Sequence, residues 1–431
     1  MTNEQSENHK TAPLRDITVM RCILIVGDGM ADRPLQELGF KTPLEVANPA
    51  NMNKLASVGA SGLLDPIAPG IAPGSDAANL ALLGYNPWLV CGGRGPFEAA
   101  GAGLQVKRGD LAFRCNFATV DEGFCLVDER AGRIGVEAKT LGETIEQVQL
   151  KVNSDVELHF KQSLGFKGAL VLRGDNLSSK VTCVLPKVGS PVAAITPLDE
   201  SIEAKHTADA LNEFIKLVHE KLATHPINLQ RSLAGKKPAN AVLPWSGSKI
   251  PEIMPFQEKY GLKGTCVAAA SLIKGIGKFS GMTVPDVPGA TGELDTDTNA
   301  KAEAALAALK GGSDFVYIHV EAPDEASHDG NVAGKIGIIQ KIDAMLGRIL
   351  DGVDLVDTVV VLAPDHATSC KSRAHTGDAV PVCFAGGNVV SDGVTMYSER
   401  SVYKGGLCRI NGKDVMPMAL NYMGKPEKIS G

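Results

Sequence analysis

Four short segments carry the side chains that could do chemistry. Asp28 stands between Gly27 and Gly29, and Ser75 follows Pro73-Gly74. Asp324 and His328 are spaced i, i+4, while Asp365 and His366 are adjacent, with His375 just beyond. Carboxylate and imidazole together suit Mn²⁺, Zn²⁺, Co²⁺ or Fe²⁺, and with fewer imidazoles Mg²⁺. Two such ions about 4 Å apart stabilise both the attacking and the leaving oxygen of a phosphoryl transfer. Ser75 is the plausible nucleophile, because its hydroxyl would sit at the mouth of a helix whose free N–H groups face a phosphate. A neighbouring cation makes such a hydroxyl easier to deprotonate, so no histidine base is required. Taken singly, Asp28 also reads as turn chemistry, Ser75 as a helix cap and His375 as a loop residue. Arriving after successive strands, they support one another.

Something must bring these segments together. Three of them follow apolar runs at 23–26, 315–318 and 359–362, whose length and β-branched content predict buried parallel strands. Ligands in open α/β sheets gather at the carboxyl ends of such strands. Pro323 starts a helical turn, which puts Asp324 and His328 on one face. A further strand is expected at 266–270, with helices at 75–83 and 299–309. Between about 104 and 260 the texture changes. Strands are expected there at 111–117 and 169–173, an amphipathic helix at 203–223 and a shorter one at 140–150, with no Asp/His motif at any strand end. The expected organisation is an α/β, parallel-sheet core from 19–103 and 262–431, interrupted by an inserted α/β cap at 104–261.

Composition bounds the rest. At 431 residues the chain suggests two domains, and a net charge of −6 argues against nucleic acid or an anionic membrane as partner. No apolar run approaches the roughly 20 residues of a membrane helix. The nine cysteines form no CxxC pair, which predicts free thiols in a reducing cytoplasm. Residues 1–18 are polar, lack the apolar segment of a secretory signal, and read as a disordered tail.

The segments GDGMADRPLQELGFKTPLEVANPANMNKLA, APGSDAANLALLGY, HVEAPDEASHDG and APDHAT with AHTGDAVP resemble the archaeal-type, cofactor-independent phosphoglycerate mutases of the alkaline phosphatase superfamily. The resemblance covers about residues 21–425. It implies an alkaline-phosphatase-like core and interconversion of 3-phosphoglycerate and 2-phosphoglycerate, in glycolysis and gluconeogenesis, with no bisphosphoglycerate cofactor. It further implies a phosphoserine intermediate on Ser75 and two divalent ions, usually Mn²⁺ or Mg²⁺. One ion would be held by Asp28, Ser75, Asp365 and His366, the other by Asp324, His328 and His375. The motifs RGDLAFRCNFATVD and DERAGRI make Arg114, Arg130 and Arg133 candidates for the substrate's anionic groups, with Lys263 a fourth. Two alternatives remain open at this level. One is a hydrolase or mutase for another small phosphorylated metabolite; the other is a non-catalytic metal-binding protein.

Overall fold

The computed structural model describes residues 20–428, so the expected tail at 1–18 lies outside the described residues. Strands β1 (Arg21–Gly27) and β2 (Ala60–Asp65) come first. Then follow β3 (Leu111–Val120), β4 (Leu126–Asp128), β5 (Glu157–Gln162), β6 (Lys167–Arg173) and β7 (Ala241–Lys249). The chain closes with β8 (Gly264–Val267), β9 (Phe315–Val320), β10 (Thr358–Ala363), β11 (Ala367–Ser369), β12 (Ala374–Thr376), β13 (Val380–Ala385) and β14 (Cys408–Asn411).

A seven-stranded sheet runs β14-β2-β13-β10-β1-β9-β8. Its centre is the parallel set expected from the apolar runs, since β1 pairs in parallel with both β10 and β9, and β9 with β8. Both faces are covered, which is why these strands are continuously apolar. Alternate residues of β1 show it: Cys22, Leu24 and Val26 enter one core, while Ile23 and Ile25 enter the other. Two departures follow from local sequence. β13 runs antiparallel between β10 and β2, and β8 ends at Val267, short of the expected 270, because Ser271–Phe279 turns into a helix.

Between β2 and β8 the chain builds a second, antiparallel sheet ordered β4-β3-β6-β5, with β7 on the other edge of β3. The helix Ile202–Ala223 lays Leu211, Phe214 and Val218 on one face of it, against Phe117 and Leu170. The helix Gly95–Ala102 covers the other face through Ala99, which meets Ala112 and Ala169. That helix also crosses Ser271–Phe279 at backbone contact. A Cβ on Gly101 would lie 1.7 Å from the Ser271 carbonyl oxygen, and one on Gly275 would lie 1.8 Å from that of Phe97. The glycines therefore let the two sheets approach closely enough to leave one cleft between them.

Register then decides what faces the cleft. Val26 is level with Ala363, and Gly27 with Val320, so Asp28, Asp365 and Glu321 emerge side by side past the strand ends. Gly29 has φ +57°, and a Cβ there would lie 2.5 Å from Thr368 Oγ1 and 2.7 Å from Asp324 Oδ1. Only glycine permits that turn, which explains the Gly27-Asp28-Gly29 motif. Of the nine cysteines, five are buried and one, Cys408, is exposed; all are free.

Candidate active site

Three histidines are held in the same way. His328 Nδ1 lies 2.9 Å from the Arg373 carbonyl oxygen and His375 Nδ1 lies 2.7 Å from that of Pro73. A carbonyl only accepts, so each Nδ1 carries a proton and, in the neutral ring, each Nε2 is left bare. His366 Nδ1 lies 3.1 Å from Thr368 Oγ1, whose own proton goes to Asp324 Oδ1 at 2.6 Å, so His366 too is protonated at Nδ1. Tying one ring nitrogen to an oxygen and aiming the other inward is the usual dress of a metal-ligating histidine.

The inward atoms converge. His328 Nε2 is 3.2 Å from His375 Nε2 and 3.3 Å from Asp324 Oδ2, and His375 Nε2 is 3.5 Å from Asp324 Oδ1. His366 Nε2 is 3.1 Å from Asp28 Oδ1, 3.5 Å from Asp365 Oδ2 and 3.2 Å from Ser75 Oγ. The two groups touch, with the His366 and His375 rings stacked at 3.9 Å. Asp28 Oδ1 is buried without a hydrogen-bond partner. Facing lone pairs of this kind repel unless protons or cations lie between them. The donor set therefore fits divalent ions.

Among the described residues, the sets whose donor atoms lie within 4.8 Å of one another are Asp324/His366/His375, Asp28/Asp365/His366 and Asp28/His319/Glu321. The last contains a residue the sequence gave no reason to single out. His319, next to last in β9, is fully buried, with Nε2 3.3 Å from Asp28 Oδ2. Asp365 is fixed by donors from Gly29 N (3.1 Å), His366 N (2.9 Å) and Asn79 Nδ2 (2.8 Å), and Asn79 is held in turn by the Tyr317 hydroxyl.

The protons reflect this crowding. Burial, with Asp28 beside it, pushes Asp365 up to about 6. Burial alone would pull His366 down, but Asp365 and Asp28 outweigh it and raise the ring to about 10. Burial and Asp324 both push Asp28 up, yet the His319 and His366 rings prevail and hold it below the usual carboxylate range.

Ser75 opens the helix Ser75–Leu82, one place later than a cap, since Gly74 is the N-cap residue. Its hydroxyl faces a cleft of about 250 Å³, lined on one wall by Asp28, Ser75, Asp324, His328 and His375. This is a little under the roughly 300–1,000 Å³ of drug-sized sites, which suits a small metabolite. The opposite wall is basic. Arg114 lies over the Trp245 ring at 4.9 Å and 3.0 Å from Glu98 Oε1. Arg130 is 3.8 Å from both Glu325 and Asp329. Lys167 Nζ, in β6, donates to Glu321 at 2.7 Å and Glu325 at 2.9 Å. Burial opposes the Lys167 charge, but the two carboxylates outweigh it and hold the ammonium above its ordinary range. Arg94 lines the cleft with Ser75, 3.6 Å from Asp76.

The four basic candidates thus separate. Arg114 and Arg130 line the cleft. Arg133 stands outside it, pairing with Asp329 at 2.5 Å and Glu293 at 3.4 Å. Lys263 is a correction: it is exposed and precedes the amino end of β8, whereas the site gathers at the carboxyl ends, where Ala270 and Ser271 reach the cleft. Lys167, Arg94 and Trp245 were not anticipated. Arg94 lies in the Gly92-Gly93-Arg94-Gly95-Pro96 break, the one local signal among the three.

The family model described as Metalloenzyme superfamily matches residues 20–422. A protein of Methanothermobacter thermautotrophicus named 2,3-bisphosphoglycerate-independent phosphoglycerate mutase 1 is 45% identical over 411 residues, covering 95% of this chain and 100% of the relative. One of Methanosphaera stadtmanae, named as the same mutase, is 46% identical with the same coverage. Among solved structures, a Pyrococcus horikoshii protein superposes with a TM-score of 0.82 at 36% identity, over 96% of this chain and 100% of that one. The cofactor-independent phosphoglycerate mutase of Thermoplasma acidophilum superposes with a TM-score of 0.64 at 33% identity, over 94% and 100%.

Proposed function

This chain belongs to the 2,3-bisphosphoglycerate-independent phosphoglycerate mutases of the Metalloenzyme superfamily, and from that premise we propose how its residues interconvert 3-phosphoglycerate and 2-phosphoglycerate. The reading rests on one observation above the others. Ser75 Oγ shares a small cleft with the ion-binding carboxylates and imidazoles on its own side and with Arg114, Arg130 and Lys167 opposite. A nucleophile so placed can hold the phosphoryl group itself, which removes the need for a phosphorylated cofactor.

Two divalent ions, Mn²⁺ or Mg²⁺ with Co²⁺ or Zn²⁺ as alternatives, would be held by Asp28, Ser75, Asp365 and His366 and by Asp324, His328 and His375, and would neutralise the charge that collects on the phosphoryl oxygens. The chain supplies everything else. Ser75 Oγ bonds to phosphorus as the bond from phosphorus to O3 of the substrate breaks, and the proton lost by Oγ is matched by the one gained at O3. The glycerate stays in the cleft, held by Arg114, Arg130 and Lys167, and turns. O2 then bonds to phosphorus as the bond from phosphorus to Ser75 Oγ breaks, and the proton lost by O2 is matched by the one that restores the Ser75 hydroxyl. Arg94, lining the cleft with Ser75, neutralises the phosphate in both states. Lys167 and Arg130 bridge to Glu321, Glu325 and Asp329 across the cleft, and this closure keeps water from the phosphoserine. No helix of the described residues is long and apolar enough to cross a membrane, and the unpaired cysteines support a place in the cytoplasm.

An enolase-coupled assay without added bisphosphoglycerate tests the reading. Wild type should turn over 3-phosphoglycerate and carry phosphate on Ser75 by mass spectrometry, while Ser75→Ala should do neither and keep its thermal transition. Near-normal turnover by Ser75→Ala would refute the phosphoserine route. Release of free phosphate in place of 2-phosphoglycerate would make the protein a hydrolase.

A further inference from the structure

We infer that the Thr368 hydroxyl is a positioning group shared by the two ion-binding clusters, so that both ions depend on one side chain. The inference rests on the two-ion reading above and goes beyond it, since Thr368 is no ligand.

Thr368 lies in β11, fully buried. Its hydroxyl has one proton and two partners: Asp324 Oδ1 at 2.6 Å and His366 Nδ1 at 3.1 Å. The ionised carboxylate can only accept, so the proton goes to Asp324. The oxygen must then accept from His366, which fixes that ring with Nδ1 protonated and makes Nε2 the atom that gives up its proton to an ion. Asp324 belongs with His328 and His375; His366 belongs with Asp28, Ser75 and Asp365. One hydroxyl thus orients a carboxylate of the first cluster and sets the tautomer of the imidazole in the second.

The anchorage beneath it is rigid. Thr368 N donates to the Ala31 carbonyl at 3.1 Å, and its own carbonyl accepts from Lys335 Nζ at 2.7 Å. Lys335 is itself buried and paired with Asp32 at 3.2 Å. From the other side, Gly29 packs where a Cβ would lie 2.5 Å from the Thr368 hydroxyl. The hydroxyl has no room to swing away. Partners behind a metal ligand typically contribute about 10–100-fold to ion affinity. A partner common to two clusters should show that effect twice.

The experiment is calorimetric titration of the full, metal-free chain with Mn²⁺, comparing wild type, Thr368→Val, Thr368→Ser and His328→Ala. Thr368→Val keeps the shape and removes the hydroxyl. It is expected to weaken both binding steps by about 10–100-fold, with Thr368→Ser restoring both and His328→Ala weakening one step predominantly. The thermal transition of metal-free Thr368→Val separates loss of fold from loss of orientation, and Thr368→Ser carries the test if valine does not fold. Thr368→Val with both steps at wild-type affinity, or with one step alone weakened, overturns the inference. So does a serine variant that fails to restore binding, which would assign the effect to the methyl group. Fewer than two ions on wild type would refute the two-ion reading instead, a result distinguishable from either.

Discussion

Lys167→Met tests the basic wall of the cleft where it is most exposed to refutation. Lys167 donates to Glu321 at 2.7 Å and to Glu325 at 2.9 Å, and all three side chains are largely buried, at 11–13% exposure. Hydrogen bonds to charged groups contribute about 1.5–3 kcal/mol each, so losing two would seem to cost up to about 6 kcal/mol. The structure reduces that figure. Glu325 keeps Arg130 at 3.8 Å and Arg133 at 3.5 Å, so Glu321 alone is left without a cation. Stranding one buried charge costs about 3–5 kcal/mol, and partial exposure argues for the lower end. Methionine retains the apolar stem beside Phe166, which confines the loss to the ammonium. That figure is a loss of fold stability, to be read from the thermal transition. The ammonium's lost contact with the substrate, about 1.5–3 kcal/mol, should lower kcat/KM for 3-phosphoglycerate in the enolase-coupled assay by about 10–10²-fold. A colorimetric phosphate assay should show free phosphate appearing, because the wall that holds glycerate and excludes water has loosened. Kinetics within about twofold of wild type, with no phosphate released, would refute both the placement of the substrate and the closure.

The arginines should separate as their positions do. Arg114→Ala, in the cleft, should lose about 1–2 decades of kcat/KM, whereas Arg133→Ala, 34% exposed and outside it, should lose less than a decade and become insensitive to salt; equal losses would refute the distinction. Ion binding should release protons. The metal-free His366 ring is raised to about 10, so its protonated form stabilises the metal-free fold fully below the ordinary histidine range, and that contribution is lost as pH rises through about 10. Between those limits an ion must displace the proton, and affinity should rise about tenfold per pH unit. Calorimetry at pH 7.5 in buffers of different ionisation enthalpy should detect the released proton; no release would show that the ring is already bare.

The carboxylate and imidazole side of this cleft was legible because strand ends leave little freedom. Continuous apolar runs mark strands buried on both faces, and a residue just past such a strand can only enter the cleft. Asp28, Asp324 and Asp365, which the structure gathers with the histidines, all follow from one rule applied three times. Where strands are short or mixed the rule has nothing to grip. β2 reads Ala-Ser-Gly-Leu-Leu-Asp and β14 Cys-Arg-Ile-Asn, too brief and polar to stand out, and β13 carries a proline. The same rule also exposes the error at Lys263. Lys263 is near a strand, but on its amino side, from which a side chain cannot reach the carboxyl end.

The substrate side was less legible for a different reason, which concerns charge rather than topology. Every cap cation near the cleft already has a carboxylate: Arg114 has Glu98, Lys167 has Glu321 and Glu325, and Arg130 has Glu325 and Asp329. Lys167 and Glu321 are 154 residues apart, so nothing local marks either one. A sequence shows that arginines are present but not which have been neutralised. On the proposed reading that pairing is also functional. A phosphate or carboxylate entering the cleft must take donors from these glutamates, and a monoanion with few acceptor oxygens gains little by the exchange. A ligand with two anionic groups can engage Arg114 and the Lys167–Arg130 wall together, so that the donors it gains offset the contacts it disturbs. The carboxylates that hide the binding residues from a reader of the sequence would thus select for a phosphorylated acid over a simple phosphate ester.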